Sequence, residues 1–220
     1  MTLTSDMVLE LRDHGFDDTT VFTDSRLLSF LNDTYLEFCA LEVWPFLEVS
    51  SASLVTTVGN KVLITPTDLR AVLGIVNTTT GRIMNPERRE TMVKQFASSL
   101  TTRGEPGFYY PLGQTINLMR IPDAVYALQF DYVKRPAALT TVITGGLDST
   151  PIFPVDHHRV LVLGALSRAN SMDNDPATSA FYDQLYQGKI QKIRNDLWGW
   201  QYDRPDRIVD IFSENDAFDY

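Results

Sequence analysis

Few side chains in this sequence are of the kinds that perform chemistry, and their spacing argues against a shared site. Three histidines occur in 220 residues, two of them adjacent, His157 and His158. On a helix, neighbours point about 100° apart, so the pair cannot present two nitrogens to one metal as a four-residue spacing would. They read instead as helix-face hydrogen-bonders or interface residues. The single cysteine, Cys39, has no partner for an intramolecular disulfide and sits in an apolar helical pattern, as a small buried hydrophobe does. No glycine-rich dinucleotide loop follows a strand, no phosphate loop ends in Gly-Lys-Ser or Gly-Lys-Thr, and no Gly-x-Ser-x-Gly elbow is present. The expectation is a protein with no catalytic residues, no metal and no cofactor. Glu87-Arg88-Arg89-Glu90 is a charge run on an expected helix, suited to pairing with solvent or with a neighbouring subunit.

Charge bounds the partners. With 28 acidic against 19 basic residues the formal net charge is −9, so the surrounding field repels phosphate backbones. Tight nonspecific DNA binding needs clustered Lys and Arg to displace counterions, which this composition does not favour. No window approaches the ~20 apolar residues of a membrane span. The first residues lack the basic start and apolar core of a signal peptide, so the reading is of a soluble chain that is not exported.

The elements that must position these residues centre on Pro154–Trp198, expected as two antiparallel helices joined by a polar turn. Pro154 suits a first helical turn and Asp156 the positive end of the helix dipole. Val160 to Leu166 is apolar on nearly every face, so neighbours should enclose it. Asp175 is placed to cap the second helix, with Pro176 at its first position. Phe181, Leu185 and Gly188 form one stripe, with Tyr182, Tyr186, Ile193 and Leu197 alongside it as one broad helical face. Two helices at the front match these: one up to a stop at Gly15, and one from a Thr23 cap through Leu27, Leu31, Tyr35 and Phe38 to Trp44-Pro45.

Between the helical ends the period shortens to two. Ala52–Thr57 and Lys61–Thr65 are expected to pair as a hairpin about Gly59-Asn60. Val72–Thr78 and Arg82–Met84 read as further strands. Asn85-Pro86 then opens a helix over Glu87–Ala97 that turns Met92, Val93 and Phe96 inward. Strands resume at Gly107–Tyr110, Thr115–Arg120 and Val125–Lys134, the last with Tyr126, Leu128, Phe130 and Tyr132 on one face. Residues 137–153 read as an exposed loop. The final segment, 199–220, mixes Trp200, Tyr202, Ile208, Ile211, Phe212 and Phe218 with many acids; such aromatic content favours partner docking over a solvated terminus, the alternative being a tail folded over its own domain.

Taken in order, these residues resemble the head-to-tail adaptor proteins of tailed bacteriophages. The match begins with Thr23-Asp-Ser-Arg-Leu-Leu-Ser-Phe-Leu-Asn32 leading to Trp44-Pro-Phe-Leu47. It continues through Val58-Gly-Asn-Lys-Val-Leu-Ile-Thr-Pro-Thr-Asp-Leu69, Gly104-Glu-Pro-Gly-Phe-Tyr-Tyr110 and Ile116-Asn-Leu-Met-Arg-Ile-Pro122. It is closest in Pro154-Val-Asp-His-His-Arg-Val-Leu-Val-Leu-Gly-Ala-Leu166, Asp173-Asn-Asp-Pro176 and Phe181-Tyr182. The resemblance implies a non-enzymatic structural protein of the virion neck, made in the host cytoplasm. It would form a homo-oligomeric ring, twelve-fold to suit a portal, joining portal protein to tail or tail-nozzle protein. Double-stranded DNA would pass through without tight binding, and no membrane is involved. In that setting the tail aromatics would contact the portal, and His157, His158, Arg88 and Arg89 an adjacent subunit.

The fold class expected is α+β: a helical bundle of residues 1–47 and 154–198 with a central antiparallel β-sandwich-like insertion at 48–136, a connecting loop at 137–153 and a tail at 199–220. A different function class stays open at this stage. Tyr109, Tyr110, Tyr126 and Tyr132 in the strands would suit a β-sandwich recognition module for glycan or a host surface.

Overall fold

The computed structural model describes residues 3–95 and 101–198, and the expectations for Phe96 and for the tail aromatics lie outside them. The chain forms two compact units, Met1–Thr34 with Thr140–Tyr220, and Tyr35–Leu139.

In the first unit, α1 (Thr4–Asp13) begins where the Leu3 amide donates to the Asp6 carboxylate at 3.0 Å, which supplies both a cap and a favourable charge at the helix start. Met7, Val8 and Leu11 are fully buried, and the helix stops at His14 before Gly15, whose φ of 101° only glycine adopts without strain. Arg12 pairs with Asp24 and donates to the Phe16 and Phe22 carbonyls, each at 3.2 Å, tying down the connection to α2 (Asp24–Leu41). Thr23 caps α2 as its sequence suggests, its hydroxyl accepting from the Arg26 amide at 3.3 Å.

A single 3-10 turn, Val155–His157, leads into α4 (Arg159–Met172). The Asp175 carboxylate accepts from the Thr178 amide at 3.1 Å and starts α5 (Pro176–Trp198). Ser167 and Ser179 tie the two helices by exchanging hydroxyl-to-carbonyl bonds at 3.1 and 2.8 Å. Val160, Leu161, Val162, Ala165 and Leu166 are buried, as a helix that is apolar all round requires. Gly164 allows the closest approach: a Cβ there would lie 2.3 Å from Thr34 Cγ2 and 3.2 Å from the Tyr186 ring. The return loop is less exposed than its composition suggests. Thr141 is fully buried, and the Ser149 carbonyl accepts from the Thr4 amide at 3.1 Å while Ser5 donates to Asp148 at 2.8 Å.

The second unit is built on one curled mixed sheet of seven strands: β1 (Glu48–Val55), β2 (Val62–Ile64), β3 (Leu69–Asn77), β4 (Arg82–Pro86), β5 (Phe108–Leu112), β6 (Thr115–Leu118) and β7 (Ala127–Lys134). Their order is β1-β7-β3-β4-β5-β6-β2, antiparallel throughout except between β4 and β5. This overturns the expected helical bundle with an antiparallel sandwich insertion, although an α+β composition holds. A sandwich needs two sheets stacked face to face. Here β4 pairs with β3 on one side and β5 on the other, so the two groups of strands join edge to edge in one layer.

The hairpin about Gly59 also fails to form. β1 pairs with β7, and β2 pairs with β6, at opposite edges of the sheet. The intervening turn is held by the segment before β7: the Gly59 amide donates to the Pro122 carbonyl at 2.9 Å and the Thr56 amide to Tyr126 at 3.0 Å. Asn85 and Pro86 end a strand instead of opening a helix; among the described residues α3 covers Arg89–Gln95, and Val93 is exposed instead of turned inward. The alternation in β7 does give the buried face, with Leu128, Phe130 and Tyr132 packed beside Ile75, Met84 and Ile116.

The C-terminal end of α2 lies in this second unit. Arg70 donates from one guanidinium nitrogen to the Cys39 carbonyl at 2.8 Å and from the other to Ala40 at 2.9 Å, satisfying carbonyls that the helix end leaves open and opposing the negative end of its dipole. Beside it Trp44 stacks on Phe38 at 4.8 Å and donates its indole N–H to the Phe38 carbonyl at 2.8 Å. Burial pushes the Cys39 thiol up to about 12, and the Arg70 charge only partly opposes this.

Three outcomes follow for stability and reactivity. Gly164→Ala should cost about 1–3 kcal/mol by overpacking, read as a lower melting temperature, and Thr34→Ser should restore much of it by removing the clashing methyl. Arg70→Lys should fail to replace the fork and Arg70→Met should cost about 2 kcal/mol in urea titration. Cys39 in the folded chain should resist a thiol-specific disulfide reagent at pH 8 and react promptly once urea unfolds it.

Candidate functional site: an exposed face of the helical hairpin

Helix α5 carries two apolar stripes. Tyr186, Ile190 and Ile193 recur at helical spacing and are buried. Phe181, Leu185 and Gly188 recur at the same spacing, roughly 140° away around the helix. Phe181 is 57% exposed and Leu185 41% exposed. The sequence therefore shows the stripes correctly, but they are two faces and not the single broad one expected. One is spent on the core; the other is left open by the described residues.

The open stripe forms a groove of about 740 Å³ with the start of α4. Leu163 contributes apolar surface from α4, while Arg159, Lys189 and Lys192 bring three positive charges and no lining residue brings a negative one. Among the described residues neither Lys189 nor Lys192 makes an ion pair, and Arg159 reaches only Glu10 at 3.9 Å. In a chain of net charge −9, this is a locally basic surface. Sequence reading missed it because Lys189 and Lys192 look like ordinary solvated charges until the apolar stripe between them is known to be exposed.

The two histidines lie beside this hairpin in different settings. His158 is buried, its Nε2 within 2.9 Å of the Phe153 carbonyl and its ring edge-on to Phe153 at 5.1 Å. His157 is half-buried, and its Nδ1 is shielded from solvent with no hydrogen-bond partner among the described residues. Burial holds its pKa below the usual histidine value; Lys189 and Lys192 press the same way, and Asp196 and Asp156 oppose them. Arg88 and Arg89 are exposed in the second unit. Among the described residues no cluster of three or more His, Cys, Asp or Glu side chains could hold a metal, and no helix is long and apolar enough to cross a membrane.

The tyrosines proposed for glycan stacking are disposed otherwise. Tyr109 and Tyr132 are buried in the sheet core, and Tyr132 donates to Asp68 at 3.1 Å. Tyr126 donates to Asp123 at 2.7 Å. Tyr110 and Tyr126 are half-buried.

His157 generates a prediction about pH. Because its folded pKa is depressed, the unfolded chain takes up the proton first, so stability is full above about pH 6.5 and falls as pH drops below it. Melting temperatures at pH 7.5 and 5.5 should differ less for His157→Gln than for the natural chain; an equal difference would remove His157 as the cause.

Comparison with known proteins places these features in a lineage. No curated protein matches the chain. The SU10 adaptor protein family matches residues 1–208, nearly the whole chain. The helical hairpin with its exposed basic and apolar face, and the mixed sheet that follows α2, thus belong to a member of the SU10 adaptor protein family, a family of phage head-to-tail adaptors.

Proposed function

We propose that the chain is a ring-forming structural subunit of the virion neck, joining the portal to the tail and letting double-stranded DNA pass through its channel. The observation that carries this reading is the adaptor-family match over residues 1–208. Composition supports it: a chain of net charge −9 gives phosphates little to adhere to, which suits a conduit. A closed ring needs two different complementary faces on each subunit, and the exposed hairpin face supplies one of suitable character. Twelve copies would suit the symmetry of a portal.

Within this reading, Arg88, Arg89 and His157 contact adjacent subunits, with His158 fixing the start of α4 through Phe153. The acidic aromatic segment carrying Trp200, Tyr202, Ile208, Ile211, Phe212 and Phe218 docks on the portal, buried rings giving affinity and rim acids pairing with basic partners. The subunit is made in the host cytoplasm and incorporated in the virion between head and tail.

Electron microscopy of the purified protein mixed with its portal should show a ring of added density; portals unchanged at saturating protein would sink the reading. Removing residues 199–220 should weaken portal binding by at least about tenfold, about 1.4 kcal/mol, while leaving the circular-dichroism spectrum nearly unchanged. Undiminished binding would refute docking through that segment.

A further inference from the structure

The groove between α4 and α5 exposes apolar surface rimmed by Arg159, Lys189 and Lys192, and the chain itself carries a segment of complementary chemistry. After Trp198 comes Gly199, then a stretch with Asp203, Asp206, Asp210, Glu214, Asp216 and Asp219 among aromatic and aliphatic residues, and no base after Arg207. We infer that residues 199–220 occupy this groove of their own chain in the free protein, their acids against the three cations and their rings on Phe181, Leu185 and Leu163.

Three observations favour this occupant. The first is charge: in a strongly acidic molecule every charged residue lining the groove is a cation, and every charged residue after Arg207 is an acid. The second is reach. The segment starts at the end of the helix that lines the groove; Lys192 lies ~9 Å and Phe181 ~26 Å back along it. Extended, residues 199–220 span roughly 70 Å, ample for a chain that reverses at Gly199, a residue type that permits such a turn. The third is mass action, because a short tether holds the segment near millimolar effective concentration, far above that of a second copy in dilute solution. Phe181 and Leu185 are then covered by the chain's own segment.

This occupancy is a property of the isolated chain and does not rest on portal docking.

The test uses the full chain with Phe181 replaced by the photoreactive p-benzoylphenylalanine, an aromatic exchange at an exposed position whose fold is checked by circular dichroism. Irradiation at low micromolar concentration without portal should give a product that migrates as a single chain, with peptide mapping placing the cross-link in 199–220. Lys189→Glu with Lys192→Glu, or 0.5 M salt, should lower the yield at least about fivefold by reversing or screening the attraction. Cross-links confined to a two-chain product, cross-links only to residues 3–198, no cross-link, or a yield indifferent to charge reversal would each overturn the inference. Because no portal is present, its failure leaves the adaptor reading standing, and failure of portal binding leaves this result intact.

Discussion

Helix α4 is apolar on nearly every face, and enclosing it is the constraint on which the rest of the helical unit depends. Such a segment is stable only when neighbours remove it from water on all sides. Helix α5 covers one side through Tyr186, and α2 approaches at Gly164, where only the missing side chain leaves room for Thr34. Packing at that distance leaves little slack, since protein interiors are close-packed and cannot absorb an added methyl freely. Satisfying this demand uses one stripe of α5. The second, with Phe181 and Leu185, is left uncovered by the described residues, and with Leu163 of α4 it becomes the groove.

The sheet answers a different constraint. Each strand must pair its backbone, and side-chain alternation fixes which face is buried while leaving the partner open. That is why the buried face of β7 could be read from Leu128, Phe130 and Tyr132, whereas the pairing of β1 and β2 could not. Gly59-Asn60 is a good local hairpin signal, but the turn around it bonds to Pro122 and Tyr126 and sends the two strands to opposite edges. Local propensity lost to long-range pairing. The same happened at Asn85-Pro86, where a cap-like sequence pairs in parallel with β5.

What was legible in the sequence follows a pattern. Caps and stops carried by one or two residues, such as Thr23, Gly15 and Asp175, appear where the chemistry places them. Element types over long periodic runs did too. Whole-fold organisation was less accessible: a sandwich and a single mixed sheet have the same alternating strands, and only the β4–β5 pairing separates them. The groove was half legible, because spacing revealed the Phe181–Leu185–Gly188 stripe, but exposure is a property of what else needs burying. The family resemblance came from the order of many weak motifs, and the adaptor-family match over residues 1–208 bears it out.

An adaptor needs stable bodies that present adhesive faces, and the helical unit presents one of that kind: an apolar groove rimmed by Arg159, Lys189 and Lys192 on a chain of net charge −9. The most direct test of the central claim is the mass of the protein alone and with its portal, measured by native mass spectrometry. The account predicts a defined complex that adds one subunit per portal subunit, twelve on a twelve-fold portal. Portal rings that keep their own mass in the presence of excess protein would contradict it.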